Sequence, residues 1–361
     1  MQASNALLQA LLIILFVGGL SLLAQRGRKN RGAEIGLIVI LLFFSFLVLT
    51  LGATIALVGL SGAAPTLGLP PELSASAAAV STIAGLAGLA LCVPPLRKVA
   101  GRRDTADRGT APDSEGLSSM GWSSEGRVFG LRWSDPPTFF GLWMFVIVLV
   151  SNVVGLLIFA LKPDVVDSAL TAGRISLFTI FVSQVPFVVI ALLGVGLGVR
   201  RNLRQTLSRL GYGPLTLRQL GIVAVFVAGA FLLSLVADTI FAALQPDLYE
   251  RVGKISDGLF DPGNLSTVSA ILFALSVGIG AGLGEETLFR GAVQPALGIT
   301  LTSILFASMH IQYGPSLLLG YIFVLSVGLG FLRRHLNTTA TFLAHAGYNS
   351  LGVLLTYLLG I

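Results

Sequence analysis

Residues 267–292 read TVSAILFALSVGIGAGLGEETLFRGA: an uncharged apolar run that ends in two adjacent carboxylates and a guanidinium. The stretch from Thr267 to Gly284 has the length of a membrane-crossing helix, so Glu285, Glu286 and Arg290 are placed at or near hydrocarbon depth. An ionised side chain at the centre of such a helix costs about 2.5–3.5 kcal/mol on insertion scales. Charges kept at that expense point to chemistry or to a specific polar contact.

The rest of the chain agrees with a membrane setting. Only 11% of the 361 residues are charged and 54% are hydrophobic, with a mean hydropathy of +0.88. Average soluble proteins carry about 25% charged residues, which this chain falls far below. The expected fold is all-α: a polytopic membrane helical bundle. A β-barrel would show short alternating segments of about ten residues, and these do not dominate. The single cysteine, Cys92, rules out an intrachain disulfide and any zinc site built on several thiolates. A net charge of +6 does not indicate nucleic acid, because the basic residues gather between apolar runs and are not interleaved with aromatics.

Ten apolar runs are visible, at about 5–24, 35–60, 76–96, 138–161, 175–199, 219–243, 267–292, 297–311, 316–332 and 339–360. The eighth is short and polar enough to be re-entrant, so eight to ten transmembrane helices are expected, with ten preferred. If the N-terminus starts outside, the inside loops hold 18 of the 23 Lys and Arg residues. That asymmetry predicts termini that are both outside, N-out and C-out. Three units are expected: an N-terminal three-span membrane unit over 1–96, a flexible cytoplasmic linker over 97–137, and a helical membrane domain over 138–361. The acidic stretch at 244–266 reads as a solvated outer loop. Asp238 reads as a structural polar residue within the sixth run, and Gln184 as a polar contact.

The chemistry-bearing groups cluster in the last third. In a helix, Glu286 and Arg290 stand at i, i+4 and share a face, which neutralises one carboxylate and holds it in place. Glu285 points about 100° away and has no partner at helical spacing, which suits a proton acceptor. Phe306 precedes His310 by one turn, close enough to pack against its ring. His345 and Asn349 are again i, i+4, so imidazole and carboxamide can donate two hydrogen bonds to a developing oxyanion. Alternatively, His310, His345 and Glu285 could hold a divalent metal such as zinc, with an open water position. Each piece has a plainer reading, since a histidine in a span is often an interhelical hydrogen bond. The same residues also fit a transporter or channel with a proton path, or a non-catalytic immunity or scaffold protein.

Taken in order, Glu285-Glu286-x-x-x-Arg290, Phe306-x-x-x-His310 and His345-x-x-x-Asn349 resemble the three motifs of the CPBP family (CAAX proteases and bacteriocin-processing enzymes, also called Abi) over about residues 170–361. The resemblance implies a multi-pass intramembrane endopeptidase of the cell membrane that hydrolyses peptide bonds of a membrane protein or lipid-modified peptide, with CAAX-type C-terminal processing as one activity. It implies that Glu285, assisted by His310, activates water, and that His345 and Asn349 stabilise the oxyanion. The family is classed as metalloprotease in some schemes and as glutamate protease in others. The sequence leaves that choice open.

Overall fold

A computed structural model describes residues 2–61, 71–105, 127–128, 131–132, 135–161, 175–263 and 265–359. Helices α1 (Gln2–Ile13), α2 (Gly19–Gly27), α3 (Arg31–Leu60) and α4 (Pro71–Thr105) come first. A π-helical turn, Ile14–Gly18, joins α1 to α2. A two-residue antiparallel ladder pairs β1 (Arg127–Val128) with β2 (Leu131–Arg132). Then follow α5 (Pro136–Leu161), α6 (Leu177–Gly194), the short α7 (Leu203–Leu210), α8 (Leu217–Leu244) and α9 (Pro246–Phe260). The last third holds α10 (Thr267–Glu286), a π-helical turn at Thr287–Val293, α11 (Gln294–Ser308), α12 (Leu317–His335) and α13 (Thr338–Leu359).

Among the described residues, nine helical stretches are long and apolar enough to cross a membrane, and the protein is an all-α, multi-pass membrane protein. The side chains agree: Leu217, Val225, Leu232 and Val236 on α8 all point outward, an apolar surface suited to lipid. Nine stretches stand where ten separate spans were preferred, because the runs at 267–292 and 297–311 form one helical stretch of 42 residues, Thr267–Ser308. Straight, it would be about 63 Å long, twice the roughly 30 Å of bilayer hydrocarbon. It is not regular throughout: the π-helical turn widens it, and Gly298 (φ 79°, ψ 175°) breaks it. Termini on one side of the membrane therefore require this stretch to cross twice.

The expected linker begins as helix, since α4 continues to Thr105. Residues 106–126, 129–130 and 133–134 of that segment lie outside the described residues. The expected outer loop is instead largely helical: α9 buries Val252 and Ile255 against Phe159 and Phe241 and leaves its charged face exposed.

The chain divides into two compact units, residues 20–151 and residues 1–19 with 152–361. In the first, α3 and α4 approach closely where a side chain at Gly52 would meet Thr82 and one at Gly85 would meet Leu49. Trp143 Nε1 donates to Ser45 Oγ at 2.8 Å and ties α5 to α3. In the second unit, α10 is the central element, and its glycines explain how. Gly278 and Gly282, one turn apart, face Ala346 and Ser350 of α13. Gly280 and Gly284 lie on the other side, facing Ile180 and Gln184 of α6. Two small-residue faces let α10 sit between two helices at backbone contact, which brings their polar side chains together. A methyl group at Gly278 would overlap Ser350 Oγ and the Ala346 carbonyl. We therefore expect Gly278→Ala to destabilise the protein by about 1–3 kcal/mol, the usual cost of overpacking. Thermal unfolding in detergent measures this. Gly253→Ala on α9, where the space is open, should not lower the transition and should raise stability by up to about 1 kcal/mol through helix propensity.

Candidate active site

The two glutamates occupy the last residues of α10, where the α-helical ladder gives way to the π-helical turn that contains Arg290. Such wide turns favour functional sites because they redirect side chains and loosen the backbone register. Thr287 supports this junction: its hydroxyl donates to the Leu283 carbonyl and stands 2.5 Å from the Tyr212 hydroxyl.

Glu286 and Arg290 are both completely buried. Glu286 Oε2 lies 3.3 Å from Arg290 Nε, and Glu286 Oε1 accepts from His345 Nδ1 at 3.0 Å. Arg290 Nη2 donates to Ser326 Oγ on α12 at 3.0 Å, and its guanidinium lies over the Phe306 ring with Cζ 5.0 Å from the centroid. This carboxylate–guanidinium pair therefore links five elements: α10, the π turn, α11, α12 and α13. Because it is dry, its attraction is not screened by solvent, and the charges compensate each other's desolvation.

Glu285 takes no part in that pair. Its Oε2 is buried without a hydrogen bond and lies 4.0 Å from His345 Nε2. His345 thus sits between two carboxylates, with Nδ1 held by Glu286 and Nε2 turned toward Glu285. An ionised carboxylate only accepts, so the bond to Glu286 fixes a proton on Nδ1. His310 follows the end of α11. Its Nδ1 lies 2.9 Å from the Phe306 carbonyl oxygen, which also can only accept. His310 Nδ1 therefore carries the proton, and Nε2 presents its lone pair. Phe306 organises both imidazoles, with ring centroids 5.0 Å from His310 and 5.9 Å from His345. His310 stacks on Tyr313 at 6.1 Å.

A cavity of about 470 Å³ is lined by Glu285, His310, His345 and Asn349 together. Phe306, Tyr313, Tyr321 and Tyr348 form much of its aromatic wall, and Gln184 and Asp238 also reach it. A second void of about 150 Å³ touches Glu285 and His310 as well. Both are large enough for water, and the first matches the size of ordinary ligand pockets. Burial pushes the Tyr313 phenol up to about 12, so it stays a neutral hydroxyl at the cavity wall.

All six residues expected to act together are thus in one region. Glu285, His310, His345 and Asn349 face the cavity, while Glu286 and Arg290 lie behind it. The zinc alternative does not fit: among the described residues, no three His, Cys, Asp or Glu side chains come close enough to hold a metal ion.

Sequence reasoning missed Ser326 and the reach of Gln184. Ser326 is a small hydroxyl in the apolar helix α12, a weak signal by itself, and only a buried arginine nearby gives it a role. Gln184 is the only amide in α6, and a side chain at Gly284 would run into it.

The family model described as type II CAAX prenyl endopeptidase Rce1-like matches residues 267–351. No curated protein and no solved structure matches the chain. The matched stretch begins at the first residue of α10 and contains both glutamates, Arg290, both cavity histidines and Asn349. With the motif residues inside the matched stretch and gathered at this pocket, the chain is similar to the CPBP family of intramembrane proteases over that region.

Proposed function

We propose that this protein hydrolyses a peptide bond of a membrane-associated substrate within the 470 Å³ cavity, with Glu285 as the group that activates water. The observation that carries this reading is Glu285 Oε2, buried without a hydrogen bond beside two histidines whose Nδ1 atoms are engaged by Glu286 and by the Phe306 carbonyl. Water held between Glu285 and His310 Nε2 loses a proton to the carboxylate as its oxygen attacks the scissile carbonyl carbon. The carbonyl oxygen becomes an oxyanion, which takes hydrogen bonds from His345 Nε2 and the Asn349 carboxamide. Collapse breaks the C–N bond, and the proton on Glu285 passes to the leaving amine. His345 can donate from Nε2 while bonded to Glu286 only as an imidazolium, and it lies between the Glu285 and Glu286 carboxylates. The smaller void beside Glu285 and His310 offers space for the water, and the larger one for the peptide.

CAAX-type C-terminal processing is the substrate class attached to the matched family, and we carry it to this chain as part of the proposal. The test compares peptide termini in membranes from cells that make the wild-type protein with those that make Glu285→Gln. New C-termini that appear only with the wild type, from membrane-associated precursors, are the expected result. Identical terminal peptides in both samples would remove the proposal.

A further inference from the structure

One charged group in the cavity has no part in this chemistry. Asp238 lies six residues before the end of α8, one of the membrane-crossing stretches. It lines the same cavity as Glu285. Its hydrogen-bond partner is neutral: the Tyr249 hydroxyl of α9 donates to Asp238 Oδ2 at 3.2 Å. The carboxylate beside it pushes the Tyr249 phenol above its ordinary range, so the bond is kept with the proton on tyrosine. Tyr249 is itself held by edge-on contact with Phe241, at 5.4 Å between centroids.

The nearby cations of α9 are engaged elsewhere. Arg251 Nη1 donates to the Phe159 carbonyl oxygen at 3.3 Å, and its guanidinium lies 4.1 Å over the Phe159 ring. Lys254 pairs with Glu250 at 2.6 Å. Among the described residues, no lysine or arginine forms an ion pair with Asp238. An acid held in a membrane helix normally pairs, or it faces a path or a ligand. This one is exposed at the cavity wall near the end of its helix and takes a hydrogen bond from a neutral donor, so its carboxylate is open to whatever enters. Charged cavity groups of this kind set selectivity more than affinity.

We infer that Asp238 is a recognition site for a cationic group on the substrate, so that the peptides preferred by this cavity carry a lysine or arginine at a fixed distance from the scissile bond. The inference rests on the peptidase reading and adds the substrate feature which that reading lacks. Two sources of positive charge are conceivable, a basic side chain or the free amino terminus, and acetylation separates them.

The probes are fluorogenic peptides, scanned with lysine, norleucine or glutamate at successive positions, each with a free and an acetylated N-terminus. The purified full chain in lipid nanodiscs is the enzyme. At one position lysine should raise kcat/KM about tenfold over norleucine in the acetylated peptide. Asp238→Asn should abolish that difference while changing turnover of the norleucine peptide less than twofold. Asp238→Lys should reverse the order in favour of glutamate. Lysine selectivity that survives in Asp238→Asn overturns the inference, and so does a wild type without basic preference. Equal turnover of the lysine and norleucine peptides, with both lowered on acetylation, moves the recognised charge to the amino terminus and overturns the side-chain assignment. If the wild type cleaves nothing, the peptidase reading fails. Anisotropy binding to Glu285→Gln then still decides the Asp238 site: equal affinity for lysine and norleucine peptides overturns it.

Discussion

Glu285→Gln should reduce peptide cleavage by about three orders of magnitude and leave the protein folded and membrane-inserted. General acid–base groups typically contribute 10²- to 10⁴-fold, and this carboxylate would act twice, as acceptor from water and as donor to the amine. The substitution keeps the shape of the side chain and removes only its capacity to take a proton. Little stability should change, because Glu285 Oε2 makes no hydrogen bond that glutamine would lose. His310→Ala should produce a loss of similar order by a different route: it deletes the Nε2 lone pair and also the imidazole stacked on Tyr313. His310→Gln keeps a hydrogen-bond acceptor for the water and should recover part of the loss, because the proton itself goes to Glu285. The measurement is initial rate on a cleaved peptide, set beside thermal unfolding of each variant. Wild-type turnover by Glu285→Gln would place the chemistry elsewhere.

Much of this site was legible in the sequence because charge in an apolar run is conspicuous and helical spacing is a strong rule. Glu286 and Arg290 pair as their i, i+4 spacing predicts, and Phe306 packs on His310 as one turn of separation requires. What periodicity could not supply was the backbone between these points. A π-helical turn and the break at Gly298 leave no mark in the hydrophobic periodicity, and two apolar runs read as separate spans form one interrupted stretch. The helix α9 was hidden for a related reason. Its acids suggested solvent, whereas its apolar face, Val252 and Ile255, recurs at helical spacing inside a polar segment. Partners across helices were the least visible. Nothing in α12 marks Ser326 as the hydroxyl that meets Arg290, and Gly284 reads as generic helix packing until Gln184 is found against it.

The largest effect on stability should come from Arg290. Arg290→Met keeps an unbranched apolar side chain against Phe306 but leaves Glu286 as a buried carboxylate without its guanidinium, held by His345. Removing one partner of a buried pair costs about 3–5 kcal/mol, and much of a protein with ordinary stability would fail to accumulate. The second substitution distinguishes a charge effect from a packing effect. In Glu286→Gln/Arg290→Met the buried charge is gone, and the glutamine carbonyl can still accept from His345 Nδ1. Most of the lost stability should return, since replacing both members of a buried pair is often close to neutral. Activity should not return with it. Without the Glu286 carboxylate the imidazolium form of His345 loses one of its two flanking anions, and the oxyanion donor is lost in proportion. A double-mutant cycle reads both quantities: unfolding midpoints should show strong coupling between the two positions, and cleavage rates of the refolded double variant should stay low. If the double variant were as unstable as Arg290→Met, the guanidinium would matter for its contacts with Ser326 and Phe306 and not for the carboxylate it neutralises.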